Sequence, residues 1–232
     1  MTASKPTLGF LAGTGPLGRG LALRLALAGH EVLIGSRKAE KAEAVVAELR
    51  SSTPDLPPDL PISGVVNAEA AARADVAYLC FPWEGQADSL PPVAGALSGK
   101  IVVSVISPLA FDDGGPYMPE VDDGSAAEEA ARLLPGARMV SGFHDVAARK
   151  LLAVAKPVET DVLVCGDDAE AKEVVIGHAD AIPGMRGVDA GRLRMSRQLE
   201  GLTAVLVAVN QRYKVRAGVR VSGLPEEKRK PA

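Results

Sequence analysis

The chain has 232 residues, 47% of them hydrophobic and 24% charged, enough for one sizeable core or one domain with a small appendage, and not the composition of a disordered protein. Only 3% are aromatic, so the core must be built mainly from Val, Leu, Ala and Ile, and base stacking on aromatic platforms, hence a nucleic-acid partner, is disfavoured. The net charge of −3 hides an asymmetry: residues 184–232 carry 11 Lys/Arg against 4 Asp/Glu, and residues 1–183 carry 15 against 25. Such polarity points either to an anionic ligand near the C-terminal segment or to attraction between the two parts.

No apolar run reaches the roughly 20 residues that span a bilayer, and the start, MTASKPTLGFLAG, enters a strand-like segment without a signal-peptide pattern. The expectation is a soluble, cytoplasmic protein with no membrane partner. Cys80 and Cys165 each lie in an apolar run without metal-type spacing, as reduced core cysteines do.

From residue 7 onward short apolar runs alternate with longer amphipathic or alanine-rich stretches, the pattern of βα units and a parallel sheet. Strands are predicted at 7–12, 31–35, 62–66, 75–81 and 100–106, each short, apolar and bounded by turn signals. Helices are predicted over 16–29, with Pro16 near the start and Gly29 just past the end, and over 37–52. Later strands are expected at 137–142 and 160–166, the second followed by a helix with an Asp cap and an acidic first turn. One long helix is expected over 193–215, with Leu199, Leu202, Leu206 and Val209 on a face that needs a partner. Segments 52–61 and 110–125 read as loops, and the tail PEEKRKPA as disordered. The implied division is a nucleotide-binding domain over 1–183 and a small segment over 184–232 with a long helix.

Between the first strand and the first helix stands AGTGPLG, with glycines at 13, 15 and 18. In a chain this rich in glycine the spacing arises by accident about once in four, so its setting carries the weight. A turn that leaves a strand and opens a helix aims backbone N–H groups and the helix N-terminus at a pyrophosphate. Gly13 allows the tight turn, Gly15 the approach of the phosphate, and Gly18 the packing of helix on strand. NAD enzymes place an Asp or Glu at the end of the second strand, against the ribose 2′-hydroxyl. This chain places Ser36 and Arg37 there, with Lys38 and Lys41 behind, so NADP is favoured. A merely basic first turn of a surface helix is the alternative, and it would oppose the helix dipole.

The segments LAGTGPLGRGLALRLALAGHEVLIGSRKAEKAE, FPWE, KIVVSVISPL, SGFHDVAA and DVLVCGDDAEAKEVV, in that order, resemble the NADP reductases that use the deazaflavin coenzyme F420. The resemblance covers nearly the whole chain. It implies an α/β fold of Rossmann type, with a doubly wound, mostly parallel sheet and a small C-terminal helical extension. It also implies a homodimer and reversible hydride transfer between reduced F420 and NADP+. Carried over position by position, Thr14, Gly15, Pro16 and Leu17 match the pyrophosphate loop, and Ser36, Arg37 and Lys41 the 2′-phosphate site. Trp83, Ser107 and Leu109 match positions on the nicotinamide side, and His144 and Ala148 the stretch beside the nicotinamide and the deazaflavin. Archaeal members have Asn where Pro16 stands and Pro where Ala147 stands.

Transfer of hydride from C–H to C–H needs no general acid at the transferring atom, so stacking, alignment and exclusion of water are the expected contributions, with no certain catalytic side chain. His144 is read either as a donor to a ring carbonyl or as a structural residue, and Trp83 as a ring-packing wall or as core. The phosphate and oligoglutamate of F420 make Arg186, Arg192, Arg194 and Arg197 a candidate anion seat. The rival functions are reduction of another acceptor, a flavin or an imine, on the same scaffold, and a non-catalytic NADP sensor.

Overall fold

The computed structural model describes residues 5–224; the tail expected to be disordered, 225–232, lies outside the described residues. In chain order the elements are β1 (Leu8–Leu11), α1 (Pro16–Leu27), β2 (Val32–Ser36), α2 (Ala39–Ser52), β3 (Ile62–Val66), α3 (Asn67–Arg73) and β4 (Val76–Leu79). Two short helices, α4 (Gln86–Ser89) and α5 (Ala94–Leu97), lead to β5 (Ile101–Ser104), the strands β6 (Ala110–Asp112) and β7 (Gly115–Tyr117), α6 (Ala126–Leu133) and β8 (Arg138–Ser141). Then come α7 (Ala148–Leu151), β9 (Thr160–Gly166), α8 (Ala169–Asp180), β10 (Met185–Asp189) and α9 (Ser196–Tyr213).

The eight strands of the main sheet lie in the order β10-β9-β8-β5-β4-β1-β2-β3, all parallel to their neighbours except β9, which runs antiparallel to β8. This is the doubly wound α/β arrangement expected. The chain winds outward from β1 through β2 to β3 and then returns to lay β4 on the other side of β1, so the crevice at the carboxyl ends of β1 and β4 is the topological switch point.

Local sequence explains the central elements. β1, Leu-Gly-Phe-Leu, is buried at every position, as a strand covered on both faces must be. Its side chains divide between two layers: Leu8 and Phe10 pack with Leu21, Leu25, Val46 and Val175 of α1, α2 and α8, whereas Leu11 packs with Ala70, Leu97 and Ala127 of α3, α5 and α6. α1 begins with Pro16, whose missing N–H is not needed there, and is followed by Gly29 at φ +90°, a conformation open to a residue without Cβ. Phe10, Tyr78 and Phe143 lie in the first layer: Phe10 stacks on Tyr78 with centroids 4.6 Å apart, and the Tyr78 hydroxyl meets His178 Nδ1 at 2.7 Å.

Three features depart from the sequence reading. Part of the segment read as a loop, 110–125, forms the antiparallel hairpin β6–β7, in which Ala110 faces Tyr117. β10 was not foreseen; it lies after residue 183 yet pairs with β9 from Met185↔Thr160 to Asp189↔Val164, so the C-terminal segment supplies an edge strand of the main sheet. The long helix is shorter than 193–215, ending at Tyr213, where Lys214 turns to the left-handed region at φ 54°.

Part of the charge asymmetry is met inside the molecule. Asp161 on β9, fully buried, accepts from Arg186, from Arg220 at 2.9 Å and from the Val221 N–H at 2.7 Å. Burial alone would raise its pKa; the two arginines and the amide outweigh burial and hold it below the usual carboxylate range. The basic C-terminal segment is thereby fastened to the acidic body.

Candidate functional site

The glycine turn leaves β1 with Ala12 in the left-handed region, φ 55°, held there by its N–H donating to Asn67 Oδ1 at 2.9 Å. A Cβ on Gly13 would stand 2.5 Å from the Phe10 Cβ, and one on Gly18 would stand 2.7 Å from the Gly13 Cα. Both positions are therefore glycine because the protein's own backbone passes too close. Gly15 is different: a Cβ there would meet nothing within 4 Å. Its face is open where a ligand would approach. α1 starts beside it with no side-chain cap and no acidic residue in its first turn, so the positive helix end is uncompensated by the protein and suits a pyrophosphate. Thr14 and Leu17 are half-buried on the same turn, and Pro16 is exposed.

Ser36 is the last residue of β2 and is buried, whereas Arg37, Lys38 and Lys41 are exposed around the start of α2. Among the described residues none of these three cations enters an ion pair. Glu40 shares this first turn of α2, but the position that closes β2 holds a hydroxyl followed by two cations where an acid would stand, which fits a 2′-phosphate better than a bare 2′-hydroxyl.

The second half of the site is a cleft of about 790 Å³ between the glycine turn, the stretch 144–149 and α9, lined among others by Pro16, His144, Ala148, Thr203, Leu206 and Asn210. Its floor is a directed hydrogen-bond chain. Thr203 Oγ1 donates to the His144 carbonyl at 3.0 Å, so its single proton is spent and it accepts from Ser107 Oγ at 2.8 Å. Ser107 must then accept from His144 Nδ1 at 3.2 Å, which leaves Nε2 bare to accept from Ser141 Oγ at 2.8 Å. The network thus assigns His144 a single tautomer, protonated on Nδ1. Burial pushes its pKa down to about 3, so the ring is neutral. Both ring nitrogens are taken by serine hydroxyls, which favours the structural reading of His144 over a direct donor to a bound ring.

Beside it, Asp145 is buried with neither carboxylate oxygen in a hydrogen bond among the described residues. Burial pushes its pKa up to about 7; the nearby backbone amides of Asp145 and Leu163 oppose this without reaching hydrogen-bonding geometry. Trp83, half-buried after β4, donates its ring N–H to Glu129 Oε2 on α6 at 2.7 Å and packs on the α3–α5–α6 layer. Leu109 is half-buried just ahead of β6. The structure thus brings Pro16, His144 and Ala148 to one cleft and joins Ser107 to it through His144, while Trp83 and Leu109 do not line that cleft.

Of the four arginines of the candidate anion seat, Arg186 pairs with Asp161, Arg192 with Asp167 and Arg197 with Glu128, while Arg194 is exposed and enters no ion pair among the described residues. Two polar groups escaped the sequence reading. Asn67, which pins Ala12, carries no motif. Thr203 sits inside the apolar stripe of the long helix, four residues after Leu199, and only that interruption marked it.

Residues 7–108 match the family model described as NADP oxidoreductase, coenzyme F420-dependent. The F420-dependent NADP reductase of Methanothermobacter marburgensis is 41% identical over 222 residues, covering 93% of this chain and 98% of the relative. The enzyme of the same name from Methanocaldococcus jannaschii is 39% identical over 94% of this chain and 98% of its own length. A crystal structure from Arthrobacter sp. FB24 superposes with a TM-score of 0.79 at 25% identity, covering 94% of this chain and all of the other. With that identity sustained from end to end, the chain belongs to the family of F420-dependent NADP reductases.

Proposed function

We propose that this protein transfers hydride reversibly between reduced coenzyme F420 and NADP+, with NADP held at the switch point and the deazaflavin in the cleft that continues from it. When bound, the two coenzymes supply the reacting carbons, C4 of the nicotinamide and C5 of the deazaflavin, and the chain supplies alignment and a dry enclosure. Gly13, Thr14, Gly15, Leu17 and Gly18, with the α1 N-terminus, hold the pyrophosphate; Ser36, Arg37 and Lys41 hold the 2′-phosphate. Pro16 and Ala148 border both halves. His144 acts through Ser107 and Thr203, which it keeps in one orientation, and Trp83 and Leu109 close the nicotinamide side from β4 and β5.

The observation that carries the reading is the open face of Gly15 at an uncapped helix N-terminus, continuous through Pro16 with a cleft large enough for a tricyclic ring. Oxidised and reduced F420 differ in visible absorption, so mixing the protein with F420 and NADPH is expected to bleach the oxidised band with stoichiometric loss of NADPH. Loss of NADPH with a flavin or an imine but not with F420 would assign the scaffold to the rival reductase, and tight NADP binding without turnover would make it a sensor.

The reading includes a homodimer that works in the cytoplasm. Its support is apolar surface: Val205 and Tyr213 on α9 are exposed and line a groove against Gly114–Pro116 at the tip of the β6–β7 hairpin, and the same hairpin exposes Phe111 and Tyr117. Among the described residues no helix is long and apolar enough to cross a membrane.

A further inference from the structure

Arg24, in the last turn of α1, is 3% exposed and has no carboxylate partner among the described residues. Its guanidinium is directed at backbone carbonyls: Nε donates to Leu151 at 2.8 Å, Nη1 to Val154 at 3.2 Å, and the two N–H groups of Nη2 are shared among Ala153, Lys156 and Lys150 at 2.8, 2.9 and 3.2 Å. All five acceptors lie in one stretch, the C-terminal end of α7 and the turns after it. The Lys150 and Ala153 carbonyls also accept from the Ala153 and Lys156 N–H groups, so the one buried cation ties together a set of carbonyls at the negative end of α7 and in the turns beyond.

The same face of α1 serves this segment along its whole length. Pro16, Gly20 and Arg24 follow at four-residue spacing and so lie one above another. Pro16 lines the cleft opposite the 144–149 stretch; Gly20 lets α7 approach so closely that an added Cβ would stand 2.7 Å from the Leu151 Cβ; Arg24 grips the carbonyls beyond. The N-terminus of this helix is the candidate phosphate cradle, and the segment it grips begins where the cleft wall ends.

We infer that Arg24 is a positioning residue for hydride transfer: it clamps residues 150–156 to α1 and so fixes the cleft wall, His144–Arg149, at a set offset from the phosphate cradle on the same helix. The inference rests on the proposed function for its catalytic consequence, but not for the clamp.

The test uses Arg24→Lys, which keeps the charge but cannot fan donors over five carbonyls, and Gly20→Ala, which pushes α7 away and leaves Arg24 in place. In the ligand-free protein both are expected to raise amide hydrogen exchange across 148–156 by about tenfold or more, with β1 and β4 unchanged. Both should leave NADP affinity within about twofold while slowing single-turnover hydride transfer by roughly 10- to 100-fold, since a displacement near 1 Å has that effect on a reaction run by alignment. Unchanged exchange in 148–156 overturns the clamp. Faster exchange with unchanged hydride transfer, or a loss of NADP affinity equal to the loss of rate, overturns the positioning role. Absence of F420-dependent turnover in the unaltered protein refutes the proposed function instead, and the exchange result still decides the clamp.

Discussion

Gly13 and Gly15 stand two residues apart in one motif and answer to different constraints. A methyl on Gly13 collides with Phe10, so Gly13→Ala should destabilise the fold by about 1–3 kcal/mol, the usual effect of overpacking. A methyl on Gly15 meets no protein atom, and φ is −74°, so Gly15→Ala should leave thermal stability within about 0.5 kcal/mol while lowering NADP affinity roughly tenfold or more. Calorimetric scans beside NADP titrations separate the two; a Gly15→Ala protein that binds NADP normally would remove the pyrophosphate from that face. At the second anchor, Arg37→Glu is expected to weaken NADP by about 10- to 100-fold, the value of a charged hydrogen bond to phosphate, and to leave NAD binding nearly unchanged. Equal losses for both dinucleotides would take the 2′-phosphate away from Arg37.

Among the elements, α9 is the one whose seating depends on buried carboxyls. Glu200 on α9 reaches the N-terminus of α6 and accepts from the Ala126 and Ala127 N–H groups at 2.9 and 3.0 Å, beside the local cap, Ser125, whose Oγ accepts from the Glu128 N–H at 3.1 Å. Burial pushes its pKa up to about 7, the same range as Asp145, which lies beneath Leu199 and Leu202 of the same helix. A carboxyl whose folded pKa lies above its ordinary value near 3.8 contributes its full stability below that value and loses it as pH rises towards 7. The buried histidines act oppositely: burial holds His144 and His178 down to about 3, so their contribution is full above pH 6.5 and declines as pH falls. Comparing Asp145→Asn with the parent isolates one carboxyl from this sum. The variant should gain on the parent by at least about 1 kcal/mol, some 2–4 °C in Tm, between about pH 4 and pH 8. A pH-independent difference would show that Asp145 titrates normally.

For the whole molecule, the exposed apolar strip along α9 and the β6–β7 hairpin predicts association of two copies. Sedimentation is expected to give the mass of a dimer, and Val205→Glu, which alters a side chain 56% exposed in the single chain, should shift it to the monomer without lowering Tm. A monomeric parent at all accessible concentrations would leave the strip as ordinary surface.

How much of this was legible beforehand depends on whether the signal was local. The strand, tight turn and helix start that make the glycine motif, the Pro16 and Gly29 boundaries of α1, and Ser36–Arg37 in place of an acid are written in neighbouring residues, because backbone conformation and helix-end electrostatics act over a few positions. The sequence by itself therefore determined a parallel sheet built of βα units and the kind of dinucleotide favoured after its first strand, while the doubly wound order was what the family resemblance implied. It did not determine that β10, with its weak apolar pattern, completes the sheet, since an edge strand is defined by the neighbour it pairs with. Nor could it show that three of four clustered arginines are neutralised by Asp161, Asp167 and Glu128, that Thr203 and Ser107 set the tautomer of His144, or that Arg24 grips a segment some 130 residues away. Those are contacts between elements distant in the chain, and only tertiary packing decides where such charges and protons go.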